Sequence, residues 1–235
     1  MIPLSMINEN EQLTGIILAG GHSSRMGTHK ALLELNGSTV LTHIVEAIRP
    51  AVSRIVVAAG PYEALYRATE KGANRAANRA MDHREGLEFV QDRYPGKGPL
   101  AGLHAALAAS HTAWNLVSAC DMPLLQTSLF NGMKRLAADY PASNAIVPRV
   151  EGRIHPLAGA YHRRILPELE QRLIHDQLRV VRWLEEIGCQ YVETNELEQA
   201  GVQQPALQLS NMNTPEQLQH IRLHLQNSDG SSSGE

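Results

Sequence analysis

Short runs of apolar residues alternate along the chain with stretches in which apolar side chains recur every three or four positions. The first run, Gly15-Ile-Ile-Leu-Ala19, reads as a buried strand. Next, Leu41, Ile44, Val45 and Ile48 fall at i, i+3, i+4 and i+7, which predicts a helix over Ser38 to Arg49 with Pro50 beyond its end. The pattern goes on to predict a strand at Arg54 to Ala59, a helix near Glu63 to Lys71, a strand at Leu87 to Gln91, a helix from Leu100 to Ser110 and a strand at Trp114 to Ala119. Pro123 suits the opening of a helical turn, and Thr127 to Asp139 forms a longer helix. Strands at Ala145 to Val150 and Leu157 to Tyr161 precede helices near Ile165 to Ile174 and Leu178 to Glu186. Strand alternating with helix predicts an α/β fold of three layers, α/β/α, around a mainly parallel, Rossmann-like sheet. In such sheets ligands sit beyond the carboxyl ends of the strands, so the loops that follow the strands are where chemistry is sought.

Composition narrows the class. With 235 residues, 43% hydrophobic and 19% charged, the chain can bury a sizeable core without disulfides or a structural metal. A single domain is expected over residues 1–226, followed by a disordered serine- and glycine-rich tail at 227–235. Cys120 and Cys189 match no zinc or redox spacing, and so few thiols suit a reducing compartment. Met1 to Gln12 lacks a basic segment leading into an apolar one, and no apolar run is long enough to span a bilayer. A cytoplasmic protein with no membrane partner is the expectation. A net charge of −3 and 4% aromatic residues argue against nucleic acid as a partner. Gly72 to Glu85, rich in Ala, Asn and Arg, reads as a helical insertion or a loop with a solvated charged face.

Candidate chemistry gathers in a few segments. Leu18-Ala-Gly-Gly-His-Ser-Ser-Arg-Met-Gly-Thr-His-Lys30 follows the first strand directly. Gly20 and Gly21 let backbone N–H groups approach an anion, Ser23 and Ser24 add hydroxyls, and Arg25 and Lys30 add positive charge. These are ingredients for a triphosphate, yet neither the Walker loop nor the dinucleotide fingerprint is present. Cys120-Asp-Met-Pro123 ends the strand at Trp114 to Ala119, where Asp121 is placed to hold Mg2+ against the phosphates or to cap the following turn. Gly98-Pro-Leu-Ala-Gly102 opens a helix and can present backbone groups to a base or ribose, while Asp92 either accepts hydrogen bonds from them or starts a turn. In Asn211-Met-Asn-Thr-Pro-Glu-Gln217, Thr214 and Gln217 make a capping box with Pro215 in the first turn. Asn211 and Asn213 are surplus to that cap and, on an extended backbone, point the same way, towards a polar ligand or into a turn.

The motifs Leu-Ala-Gly-Gly-x-Ser-x-Arg-Met-Gly-x-x-Lys at 18–30, Gly-Pro-Leu-Ala-Gly at 98–102, Cys-Asp-Met-Pro at 120–123 and Asn-x-Asn-Thr-Pro at 211–215 occur together and in this order. In this the chain resembles the molybdenum cofactor guanylyltransferases, the MobA-type enzymes of the GT-A-like nucleotidyltransferase superfamily. His155-Pro156 and the strand after it also look like that family's segment facing the second substrate. The resemblance implies a nucleotide-binding N-terminal half and an acceptor-binding C-terminal half. It further implies transfer of GMP from GTP with Mg2+ to molybdopterin, pyrophosphate leaving, and contact with molybdoenzymes or other proteins of the cofactor pathway. By motif, Leu18, Ala19, Gly20 and Gly21 contact the nucleotide, Lys30 its phosphates, Asp92 the nucleoside, and Asp121 both nucleotide and metal. Arg25, Lys30 and Asp121 form the catalytic set, and His155, Asn211 and Asn213 face the acceptor.

Two positions depart from the family pattern. His29 stands where an Asp often precedes the loop lysine, and Val56-Val-Ala-Ala-Gly60 offers Ala58 or Ala59 where better-known members carry an Asn. The same motifs would also serve a relative using CTP with molybdopterin, one joining an NTP to a sugar or polyol phosphate, or a nucleotide-binding accessory protein without catalysis.

Overall fold

The computed structural model describes residues 12–20, 29–62, 64 and 87–230. Gly21, Arg25 and the segment Gly72 to Glu85 lie outside the described residues, as does all of the helix expected at Glu63 to Lys71 but residue 64.

In chain order the elements are β1 (Thr14–Leu18), the small hairpin β2 (Glu34–Leu35) and β3 (Ser38–Thr39), α1 (Val40–Ile48), β4 (Arg54–Ala58), β5 (Leu87–Val90), α2 (Pro99–Ala109), β6 (Trp114–Ala119) and α3 (Thr127–Asp139). Then come β7 (Ala145–Val150), β8 (Arg153–Ile154), β9 (Ala160–His162), α4 (Leu166–Ile174), α5 (Val180–Glu186), β10 (Cys189–Glu193), α6 (Thr194–Gln199), α7 (Pro205–Gln208) and α8 (Pro215–Gly230). One sheet in the order β10-β7-β9-β6-β1-β4-β5 runs through both halves of the chain, with β8 paired to β7. β1 is its centre: all five residues are buried, and it pairs in parallel with β4 on one side and β6 on the other. A strand covered on both faces has no polar side to show, which is why its sequence is an unbroken apolar run.

Two helical layers cover the sheet. On one side α2 packs against β1, β4 and α4; on the other α3 packs against α1 and β6. The three-layer α/β/α arrangement and the mainly parallel sheet are as expected from sequence. Helix α1 begins later than expected, because Ser38 and Thr39 pair with Leu35 and Glu34. Thr39 then caps the helix, its Oγ1 accepting from Thr42 N–H at 3.2 Å.

Several elements differ from the expectation. The strand predicted at Leu157 to Tyr161 is β9 over Ala160–His162, antiparallel to both β6 and β7. Leu157 and Gly159 still bond to β6 through their carbonyls, at 2.9 Å from Ala119 N–H and 2.7 Å from Val117 N–H, but in irregular backbone. Hydrophobic periodicity marks a strand and carries no direction, so this reversal was not legible. β10 and the short helices α6 and α7 were not anticipated. Helix α8 runs through Gly230, into the segment expected to be a disordered tail from 227. Helical hydrogen bonds are local, so a polar stretch with no core to join can still prolong a helix already started.

Candidate active site

After β1 the chain moves to β4 and β5 on one side, then crosses to β6 on the other. The crossovers leaving the carboxyl ends of β1 and β6 therefore diverge, the place where open α/β sheets bind ligands. A cavity of about 810 Å3 occupies this position. Leu18, Ala19 and Gly20 line it from β1, Ala58 and Gly60 from β4, Asp92 from β5, and Cys120 and Asp121 from β6. Lys30 and the glycines of the 96–102 segment complete the wall. Of the sequence-predicted residues that are described, Leu18, Ala19, Gly20, Lys30, Asp92 and Asp121 are brought together here.

Gly60 was missed by sequence reasoning. A Cβ on Gly20 would stand 3.2 Å from the Gly60 backbone nitrogen, and Gly60 itself sits at φ +54°. The loops after β1 and β4 touch backbone to backbone, leaving the space in front of them open. A glycine two residues beyond a buried strand was the available signal.

The charged groups are tied into one frame. Lys30 Nζ donates to Asn213 Oδ1 at 2.6 Å, and Met212 N–H donates to the Asp121 carbonyl at 2.6 Å. Cys120 N–H in turn donates to the Leu18 carbonyl at 3.3 Å, continuing the β1–β6 pairing to the cavity edge. Burial raises the Asp121 carboxyl above its ordinary range, opposed by the charges of Lys30 and Arg153. Burial lowers the Lys30 ammonium, opposed by Asp121. Each charge is thus partly desolvated and partly compensated by the other. Arg153 is a second residue the sequence did not reveal, since it lies on β8, paired to β7, and its charge reaches Asp121 only in the folded chain.

Asp92 is different. Burial raises its carboxyl, and its buried Oδ1 has no hydrogen-bond partner among the described residues. Such an atom is costly unless a ligand donates to it.

The three residues expected to face an acceptor separate. Asn213 holds Lys30, so it serves the same cluster as the loop lysine. Asn211 and His155 do not line the cavity. Burial first, then the Arg153 charge, pushes the His155 imidazole down to about 4, so it is neutral near pH 7. The capping box forms as expected: Gln217 Oε1 accepts from Thr214 N–H at 3.2 Å, and Thr214 Oγ1 from Gln217 N–H at 3.3 Å. Cys120 is buried, and burial drives its thiol far above its ordinary range, so it stays protonated and is no nucleophile. His29 packs its ring against Tyr62, centroids 3.5 Å apart.

No cluster of three or more His, Cys, Asp or Glu able to hold a metal occurs among the described residues. Among the described residues, the carboxylates that line the cavity and could meet a divalent cation are Asp121 and Asp92. That donor set suits Mg2+ arriving on a polyphosphate, which takes one or two carboxylates and fills its shell with phosphate oxygens and water. Also among the described residues, no helix is long and apolar enough to cross a membrane.

Residues 15–190 match the family model described as the MobA-like NTP transferase domain. The chain belongs to the MobA-like NTP transferase family. Its relatives agree. The protein named "Probable molybdenum cofactor guanylyltransferase" of Carboxydothermus hydrogenoformans is 31% identical over 205 residues, covering 87% of this chain and 92% of the relative. The molybdenum cofactor guanylyltransferase of Yersinia pestis (strain Pestoides F) is 30% identical over 209 residues, covering 86% and 91%. The crystal structure of molybdopterin-guanine dinucleotide biosynthesis protein A from Archaeoglobus fulgidus superposes with a TM-score of 0.73 at 21% identity, covering 92% of this chain and 100% of that one, a likeness of fold. This MobA-like chain is accordingly a nucleotidyltransferase, with a GT-A-like fold and a role in molybdenum cofactor biosynthesis. Its cavity gathers a cation, a carboxylate and a carboxylate oxygen in want of a donor beyond the carboxyl ends of the strands.

Proposed function

We propose that this nucleotidyltransferase moves GMP from GTP to molybdopterin, forming the guanine dinucleotide cofactor and releasing pyrophosphate in a Mg2+-dependent reaction in the cytoplasm. The observation that carries the reading is the gathering of Lys30, Asp121 and the unpartnered Asp92 oxygen in one cavity at the switch point. The names of the relatives supply the acceptor and point to guanine. Asp92 would accept from donors of the nucleoside, a role that guanine's adjacent N1–H and N2–H, cytosine's N4–H or a ribose hydroxyl can each fill.

In this reading the backbone of Leu18 to Gly20 borders the nucleotide, and Lys30, held by Asn213, offsets charge on the phosphates. Arg25 would add a second cation from the glycine-rich loop. Mg2+ held by Asp121 would supply further neutralisation of charge as pyrophosphate departs. A terminal phosphate oxygen of molybdopterin attacks the α-phosphorus directly, and the protein provides no covalent nucleophile. A phosphate monoester is largely ionised near neutral pH, so no general base is required of the chain. Protonated Cys120 and the depressed His155 are consistent with that. Arg153, through its charge near Asp121, would face the acceptor side with the neighbouring His155, Asn211 would contribute to the same side, and the product would pass to molybdoenzymes.

The test is transfer of label from each of four α-labelled NTPs, with Mg2+, to molybdopterin supplied with molybdate. Label moving from GTP alone supports the reading. Transfer from CTP keeps the chemistry and overturns the base, and tight nucleotide binding without transfer points to another acceptor or to an accessory role.

A further inference from the structure

The segment that carries Asp92 has little backbone structure to hold it. Beyond β5 it leaves the sheet, passes through two left-handed glycines, Gly96 at φ +82° and Gly98 at φ +70°, and enters α2 at Pro99. Fixing such a loop costs roughly 1–2 kcal/mol of backbone entropy per residue, so something must hold it in place. The polar side chains it directs away from the cavity all end on α4 or just past it. Tyr94 Oη donates to Glu170 Oε1 at 2.8 Å, and an Arg93 guanidinium nitrogen donates to the same oxygen at 3.0 Å. Lys97 Nζ donates to the Leu173 carbonyl and lies 3.0 Å from Asp176 Oδ1. The Tyr94 ring meets buried His104 of α2 edge-on, centroids 5.3 Å apart, and His104 Nε2 is 3.9 Å from Glu170 Oε1.

From this we infer that Glu170 is a positioning residue for the nucleotide: it does not line the cavity, and it acts by clamping residues 93–97 so that Asp92 stands at the cavity wall. The inference rests on the cavity being the nucleotide site. It assigns to the acceptor half of the chain a control over nucleotide affinity. The bonds are not equal. Arg93 is 72% exposed and its ion pair contributes little, whereas the Tyr94 hydroxyl is partly buried and meets a charged acceptor, the stronger kind of hydrogen bond. Tyr94 and Glu170 are therefore the core of the clamp.

The test compares Glu170→Ala, Glu170→Gln and Tyr94→Phe in the full chain. Two readouts are taken: KM for the nucleotide against KM for the acceptor, and backbone hydrogen exchange over residues 91–98 in the protein without nucleotide. Glu170→Ala is expected to raise nucleotide KM about tenfold, the scale of one lost charge-assisted hydrogen bond, with acceptor KM unchanged and exchange in 91–98 accelerated. Glu170→Gln, which keeps an acceptor for Tyr94, restores most of both; Tyr94→Phe reproduces the defect and decides the matter if Glu170→Ala does not fold. Unchanged nucleotide KM in a folded variant, or equal loss on both substrates with no local change in exchange, overturns the inference. Should the wild-type chain take no nucleotide, the functional reading fails, while accelerated exchange in 91–98 still supports the clamp and unchanged exchange overturns it.

Discussion

β1 and β6 carry a polar cluster at each end, and the two clusters are built on opposite plans. At the amino ends, Thr14, Ser110, Thr112 and Asn115 satisfy one another. Thr112 Oγ1 donates to the Trp114 carbonyl at 2.9 Å and accepts from Thr14 N–H at 3.1 Å, Ser110 Oγ donates to Asn115 Oδ1, and Asn115 Nδ2 reaches the Tyr161 carbonyl at 3.2 Å. Every member is neutral, and Ser110 and Asn115 are fully buried. At the carboxyl ends stand Asp121, Lys30 and Asp92, charged groups that burial disfavours, one of them with an oxygen bonded to nothing in the described chain. A closed neutral network fixes the ends of strands and rigidifies the core. An open, charged and incompletely satisfied one costs stability and is kept for what it binds.

The largest effect that separates the two ends is expected from Asp121→Asn. Turnover should fall about 100- to 1,000-fold, the range for removing one group that stabilises developing charge. Thermal stability should be unchanged or slightly higher, because the Asp121 pKa is raised in the fold. A raised carboxylate pKa means that the folded state disfavours ionisation, so the charge costs stability at pH above that pKa and the cost vanishes once the group is protonated at lower pH. Any gain in melting temperature over wild type should therefore shrink as pH falls, which melting curves from pH 4 to 8 would check. A marked loss of stability at pH 7 would place Asp121 with the structural end.

Asn213→Ala sharpens the comparison from within the site. It frees Lys30 from its 2.6 Å partner, and kcat/KM is expected to drop about tenfold, the scale of one hydrogen bond to a charged group. The fall should appear in the nucleotide KM. A fall confined to the acceptor KM would return Asn213 to the acceptor side.

The smallest effect on activity belongs to Asn115→Ala at the far end. It removes the Asn115 amide's bonds to the Tyr161 carbonyl and from Ser110, and should cost about 2 kcal/mol of stability. Turnover at a temperature where the variant is folded should stay within about twofold of wild type, since the sites are distant and share no partner. Chemical denaturation and a rate measurement decide it together.

The central frame was legible because burial on both faces writes itself as apolar runs: Trp114–Ala119, Thr127–Asp139 and Ala145–Val150 stand where the pattern put them. β10 was not, because its sequence, Cys189-Gln-Tyr-Val-Glu193, buries only Val192 fully and forms the edge of the sheet, where one apolar position is enough. The cavity residues on loops that follow strands were legible for the same topological reason that makes them converge. Contacts across the sheet were not. Nothing near Arg153 or Asn213 in sequence says that one charge would reach Asp121, or that the amide would meet Lys30 from 183 positions away. Asp92 was named for its residue type and position, but its unpartnered oxygen is a property of the folded cavity alone.

The most direct test of the account is single-turnover transfer from α-labelled GTP to molybdopterin, run side by side with the wild-type chain and Asp121→Asn at equal folded concentration. The account predicts labelled dinucleotide from the wild type and a rate at least about 100-fold lower from the variant. Equal transfer by both proteins would contradict it.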